Sequence, residues 1–526
     1  MTEIIYPIRI SAASDGVKNV EALLTPHTLQ VGLKEKKEDL AVIHGGQYVI
    51  LDFGMEYSGG VRLLTLQGCP KVRLRLGESL AECSAELGQD GACNDHSLRD
   101  MVVELPTHSD SQYFKSAFRF LRIDNLTEKT LSLKQVVACY DHADIVQTGS
   151  FECNDELVND IFKTSVRTLH LNLQNGVIYD GVKRDRLVWI GDLHPECLAY
   201  LGLYEDHSFL VNSLEFMIET TVIKDYMNTI PAYTAWFLII LHDYILHSGN
   251  VAFIQKHKDY ILETIELMAT AIGDDGVLTV PNNDIFFDWP SHNYEDKGFF
   301  GNVILWYYSL KLSLKLMELL GAENGHIKAK VDLIKSRYPD SCNYKQAAAM
   351  RIYTGLDQDP TVLTKGGSKG FSTFMSYYIL DSIARTAGQS TALELMKEYY
   401  GKMLELGATT FFEDFDIDWA ANSARLDEYP TDGQDEIHRC YGDFCYKGFR
   451  HSLCHGWSAG PVQYLQRAVA GINILDVGCT KVSVKPDLGS LEWIRCSFPT
   501  PKGIITVEAD KNGTRISLPQ GVQLVE

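Results

Sequence analysis

Over residues 1 to about 147 the chain alternates apolar and polar positions. Tyr48–Phe53, Val61–Leu66, Lys71–Leu76 and Phe118–Ile123 are short runs rich in β-branched and aromatic residues. Such runs at turn-punctuated intervals predict a β-sandwich, with Gly59 and Gly60 separating the first two strands. The period changes after the segment 150–154. Asn154 suits a helix N-cap and Glu156 a first turn, and Leu157, Ile161, Val166, Leu169 and Leu173 follow near helical spacing. Helical patterning continues to about residue 468, through Cys197–Leu214, Ala232–Leu246, Ala252–Ala269, Phe300–Leu320, Phe371–Thr386 and Ala392–Leu406. Ten or more helices paired by loops, with no strands between, predict a toroid of helical hairpins rather than a four-helix bundle. Alternation returns at Lys481–Lys485, Leu491–Phe498 and Gly503–Glu508, and Asn512-Gly513 predicts a tight hairpin before Thr514–Leu518. The expected organisation is a β-sandwich over 1–147, a helical domain over 148–468 and a small β domain over 469–526.

Size and charge narrow the partners. A chain of 526 residues exceeds one ordinary domain, although a large helical barrel takes up most of it. The formal net charge of −21 argues against nucleic acid and against an anionic membrane surface, and fits a soluble protein acting on neutral small molecules. The first residues, MTEIIYPIRIS, lack a basic region followed by an apolar run, and the apolar stretch Ala235–Leu241 is short and runs into His242-Asp243. Twelve cysteines include no C-x-x-C pair. The expectation is a cytoplasmic protein with reduced thiols. The β-sandwich carries sugar contacts or serves as a homodimer face; the residues do not choose.

The densest chemistry lies in DGVKRDRLVWIGD, residues 180–192. Three aspartates and two arginines share this stretch with Trp189 and the apolar pair Leu187-Val188. Carboxylates beside an aromatic ring suit a sugar site, because the ring covers an apolar sugar face while the acids bind hydroxyls or move protons. A carboxylate paired with arginine stays ionised, whereas one among apolar neighbours is pushed toward its protonated form. Asp180, Asp185 and Asp192 are thus able to hold different protonation states in one pocket. The plainer reading is a helix start with a structural ion-pair network.

These residues resemble the bacterial α-L-rhamnosidases of glycoside hydrolase family 78, whose motif is roughly D-C-P-x-R-E-R-x-G-W-x-G-D. Gly407-Ala-Thr-Thr-Phe-Phe-Glu413 and His455-Gly-Trp-Ser-Ala-Gly460 resemble two further family segments, and weaker likenesses lie at 149–155, 287–289 and 485–489. The resemblance implies a six-hairpin (α/α)6 barrel, mainly α, flanked by the N-terminal β-sandwich and the small C-terminal β domain. It also implies an inverting α-L-rhamnosidase that acts on small rhamnosides without cofactor or metal. Carried over by position, Asp185 is the general acid and Glu413 the general base. Asp180, Arg184, Trp189, Asp192 and His455 line the sugar site. The aromatic loop Phe286–Glu295 adds Asp288 and Trp289, and the helix after Pro231 adds Trp236. Asp185 stands in place of the family's glutamate, Gly181-Val182 in place of Cys-Pro, and Val188 in place of glycine, which bears on aglycone preference.

On the residues alone, another glycosidase or phosphorylase on the same barrel and a non-hydrolytic sugar-binding protein stay open. Gly456-Trp-Ser-Ala-Gly460 also fits G-x-S-x-G, but no histidine follows residue 455, so the serine-hydrolase order is closed. His451, Cys454 and His455 have helix-compatible spacing for a metal, but no H-E-x-x-H or C-x-x-C accompanies them. The Tyr/Asp-rich segment 420–450 reads equally as a lid or an exposed loop.

Overall fold

The computed structural model describes all residues except 281–283, 292–294, 339–342, 443–445 and 526. The N-terminal strands form one hydrogen-bonded sheet of eight, with a core of its own that includes Leu23, Val49, Leu63, Leu74, Phe118 and Val136. Its spine is the long strand Tyr48–Gln67, which pairs with Ser109–Asn125 on one side and Leu131–Asp141 on the other. Gly59 and Gly60 do not break this strand. They form an irregularity inside it, where the register shifts between Gly59 and Val61. A side chain on Gly59 would sit 2.0 Å from the Cys139 carbonyl and one on Gly60 2.5 Å from that of Phe114, so glycine here serves close backbone approach rather than a turn.

The helical region begins at Glu156–Asn172, and its cap is Asp155, whose side chain accepts from the Val158 N–H. The expected cap, Asn154, instead accepts the Glu492 N–H at 2.8 Å. The expected helix 197–214 is two helices, Leu193–Leu203 and Ser208–Thr220; Pro231–Ser248 and Glu295–Leu319 follow the predicted positions. Pro231–Ser248 is buried on nearly all sides and runs through the centre of the helical layer, packed on Glu295–Leu319 and Leu193–Leu203.

The C-terminal strands share one core with the helices rather than building a separate one: Val158, Trp236, Tyr378, Ile494 and Val507 belong to the same cluster. Ser150–Cys153 joins the C-terminal sheet by pairing with Trp493–Thr500. The predicted hairpin is present, with its turn one residue earlier than expected, since Asp510 pairs with Gly513. Among the described residues no helix is long and apolar enough to cross a membrane.

Candidate active site

Three distant segments are stitched together by backbone hydrogen bonds. Gly181 bridges His455, and the Gly456 N–H donates to the Asp180 carbonyl at 2.7 Å. The His455 N–H donates to Phe411 O, and the Glu413 N–H to Ser452 O. The loop 180–187 closes on itself, because the Asp180 N–H donates to Leu187 O (3.0 Å) while Asp180 Oδ1 accepts the Leu187 N–H (2.9 Å). Asp185 and Arg186 at its tip both take positive φ, +55° and +57°, a conformation that non-glycine residues adopt only when the surroundings enforce it. Behind the tip, the Lys183 ammonium reaches Glu78 at 2.8 Å and the carbonyls of Phe449 and His451. Glu78, Glu82 and His438 have the spacing of metal ligands, but Lys183 Nζ already lies among them, 3.3 Å from His438 Nε2. Ser79 Oγ also meets His438 Nδ1 at 2.9 Å, so the part of the Tyr/Asp-rich segment around His438 is held against the N-terminal region.

A cavity of about 350 Å³ opens where these segments meet. Seven of the ten residues expected from sequence line it: Asp180, Asp185, Trp189, Asp192, Trp289, Glu413 and His455. Arg184 stands directly behind. Its Nη2 pairs with Glu413 Oε2, its Nη1 lies 3.0 Å from Asp185 Oδ1, and its plane covers the Tyr446 ring at 3.4 Å from the centroid. One guanidinium therefore separates and orients the two carboxylates. Trp236 and Asp288 are placed outside the lining, which corrects the expected sugar contacts. Trp236 is buried one helical turn deeper than Tyr233 and stacks on His194 at 4.9 Å. Asp288 is fully buried and accepts from Tyr344 Oη, Ser372 Oγ (3.0 Å) and the Ser291 N–H, so it anchors the loop that presents Trp289.

The structure adds Tyr233, Phe286, Tyr446, Trp457 and Asp284 to the wall. Tyr233 lies three positions from Trp236 on one helix, and Phe286 and Trp457 lie inside segments already singled out. Tyr446 lies in the Tyr/Asp-rich segment, which the sequence left open as lid or exposed loop.

The carboxyls differ in state. Burial opposes charge on Glu413, yet the Arg184 guanidinium and then His455 and His451 outweigh it and pull the carboxyl down to about 2. Asp180 goes the other way: burial, reinforced by Asp185 and Asp192, pushes it well above the usual range despite His455. Burial also raises Asp192, against the hydrogen bonds from His455 Nε2 (3.0 Å) and Tyr233 Oη (2.8 Å). Burial disfavours charge on His455, but Glu413, Asp192 and Asp180 around it raise its pKa. Asp180 Oδ2, Trp189 Nε1 and His455 Nδ1 are buried without a protein partner among the described residues. Residues that supply unmatched donors and acceptors around an aromatic-walled cavity suit a ligand with many hydroxyls.

Residues 146–335 match the bacterial α-L-rhamnosidase six-hairpin glycosidase domain. Over that stretch the chain is similar to this family's domain. Over 98 residues it is 32% identical to an α-L-rhamnosidase of Formosa agariphila, a stretch that is 19% of this chain and 10% of that protein. The fold is similar to the family 78 rhamnosidase of Bacillus sp. GL1 (TM-score 0.74, 19% identity, 96% of this chain and 55% of that one). It is also similar to the Klebsiella oxytoca rhamnosidase solved with rhamnose bound (TM-score 0.70, 17% identity, 89% of this chain and 96% of that one). The chain thus spans a tenth of the Formosa relative and about half of the Bacillus one.

The two constellations that the sequence set aside occupy other roles here. Ser458 is buried in a short 3-10 turn and donates to Phe412 O, with no strand before it. His451 Nε2 accepts the Asp414 N–H while His455 turns to Asp192, so the two do not converge. A wider hollow of about 710 Å³ on the outer face of Trp493–Asp510 is lined by exposed charges that pair with each other, such as Lys511 with Glu492.

Proposed function

We propose that this protein hydrolyses terminal α-L-rhamnose from small rhamnosides with inversion, Asp185 acting as general acid and Glu413 as general base. The observation that carries the reading is that both carboxyls open onto one aromatic-walled cavity, held apart by Arg184. The apolar face of the sugar lies against Trp189 and Trp289, and Asp180, Asp192 and His455 take its hydroxyls. Glu413, ionised, receives a proton from the attacking water. Asp185 gives a proton to the departing oxygen as the C1–O bond breaks. Inversion requires that the water stand between the base and the anomeric carbon on the face opposite the leaving group. In this reading the helical region closes as the (α/α)6 barrel, the N-terminal strands pack as a sandwich, and the units divide near 147 and 468. The reaction calls for no cofactor.

The test is a panel of nitrophenyl glycosides, with and without phosphate, on the wild type and on Asp185→Asn and Glu413→Gln. Glu413→Gln should lose about 100-fold or more in kcat on every rhamnoside, and Asp185→Asn should lose as much on an alkyl rhamnoside but less on a nitrophenyl one, both keeping their fold. Proton NMR of early product should show the β anomer forming first. Near-normal turnover of the alkyl rhamnoside in either variant removes that residue from its role. Rhamnose binding without turnover at any pH favours the non-hydrolytic sugar-binding alternative.

A further inference from the structure

The acid is met by a residue from outside the helical region. Loop 93–99 of the N-terminal β region is folded by Asn94, whose Oδ1 accepts the N–H groups of both Arg99 and Asp100 at 3.0 Å. It is pinned to the site by Ser97 Oγ, which donates to Lys183 O at 2.7 Å, and by Asp95 Oδ2, which accepts from Arg450 Nε at 2.8 Å. His96 sits at its tip with φ +63°, opposite Asp185 with φ +55°; two non-glycine residues are thus held in the left-handed region face to face. His96 Nδ1 accepts the Asp185 backbone N–H at 2.7 Å and also lies 2.8 Å from Asp185 Oδ1.

A ring nitrogen offers a single in-plane site, either a lone pair or an N–H. The two contacts compete for it: carrying a lone pair, Nδ1 accepts the Asp185 backbone N–H, and carrying a proton it donates to Oδ1. In the second arrangement one proton lies between the two side chains. We infer that His96 and Asp185 hold one proton in common, and that this is the proton the site delivers to the departing oxygen. The inference rests on the reading of Asp185 as the acid. His96 does not line the cavity and is a positioning residue; its side chain is 35% exposed, which lets solvent return the proton to the imidazole after each turnover. Delivery leaves an Asp185 carboxylate beside a neutral imidazole. Uptake of one proton at Nδ1 restores the pair. The other groups facing Asp185 are Arg184 Nη1 at 3.0 Å from Oδ1, Tyr446 Oη donating to Oδ2 at 3.3 Å, and Asp180 in the same cavity; Asp95 and Arg450 flank the His96 loop. Arg186 turns away to Lys115 O.

The test compares the full-length protein with His96→Ala and His96→Asn on two rhamnosides, one with a nitrophenyl leaving group and one with an alkyl leaving group. Asparagine keeps an oxygen to accept the Asp185 N–H, but its amide does not titrate and so supplies no transferable proton. In both variants kcat on the alkyl rhamnoside should fall about 100-fold and on the nitrophenyl one less than about 10-fold. KM should stay unchanged. Added imidazole should restore part of the alkyl rate in His96→Ala. A wild-type ratio between the two substrates in His96→Asn overturns the inference. If Asp185→Asn shows the selective loss and His96→Asn does not, only the His96 step fails. If Asp185→Asn keeps alkyl turnover, the acid assignment itself fails. The 15N resonance of His96 Nδ1 gives an answer independent of turnover: its titration should shift in Asp185→Asn, and an unchanged titration refutes the shared proton.

Discussion

Replacing Arg184 with methionine removes the one guanidinium that both carboxylates share. Both members of the Arg184–Glu413 pair are 2% exposed, so the interaction is screened little by water. The depression of Glu413 from 4.5 to about 2 corresponds to about 3 kcal/mol of stability in the folded state. A depressed carboxylate contributes that stability in full above its unfolded pKa and loses it as pH falls toward the folded value. The wild type should therefore weaken only between about pH 4.5 and 2 on account of this group. In Arg184→Met the contribution is absent at every pH. Burial then acts on Glu413 with His455, His451 and the Ser452 N–H left to oppose it, so its titration moves upward and the carboxylate is left without its main partner. Breaking such a pair costs roughly 3–5 kcal/mol. Urea unfolding at neutral pH reads this loss. The acid limb of kcat/KM on nitrophenyl rhamnoside should rise by about two pH units or more. Arg184→Lys keeps the charge but not the fork, and should retain one carboxylate contact and fall between the two. A folded Arg184→Met protein whose acid limb stays where it was refutes the claim that this guanidinium sets the state of Glu413.

Gly191→Ala places a methyl group 2.2 Å from Tyr233 Cε1, so the ring that donates to Asp192 must move; KM should rise several-fold and thermal stability should drop, both read on one preparation. Gly59→Ala meets the Cys139 carbonyl at 2.0 Å at φ +148° and should cost roughly 1–3 kcal/mol or more in chemical denaturation with little change in KM. Trp236→Ala and Trp289→Ala separate core from cavity. The first should lose roughly 3–5 kcal/mol of stability, and the second should raise KM while unfolding near the wild-type denaturant concentration. The reverse pattern contradicts the placement of both rings.

The alternation over 48–125, the helical period from 156 onward and the return to β after 480 are local properties, and the elements form where those periods occur. The string 180–192 stood out for the same reason, although charges beside Trp189 fit a sugar site and a structural ion-pair network equally until the cavity is seen. What needed the tertiary structure was everything set by approach between distant segments. Gly59-Gly60 reads as a turn until the Cys139 carbonyl is seen against it. Trp236 reads as a sugar ring until the helix is rotated in place, and then Tyr233 faces the cavity instead. His96 comes from a β loop with no pattern of its own and Tyr446 from the Tyr/Asp-rich segment, and only packing brings them to Asp185. Periodicity and motif are written in neighbours along the chain and so survive in the sequence alone. Which proton sits on which carboxyl depends on burial and on charges more than two hundred residues away, as with Arg184 and Glu413, and only the folded chain decides it.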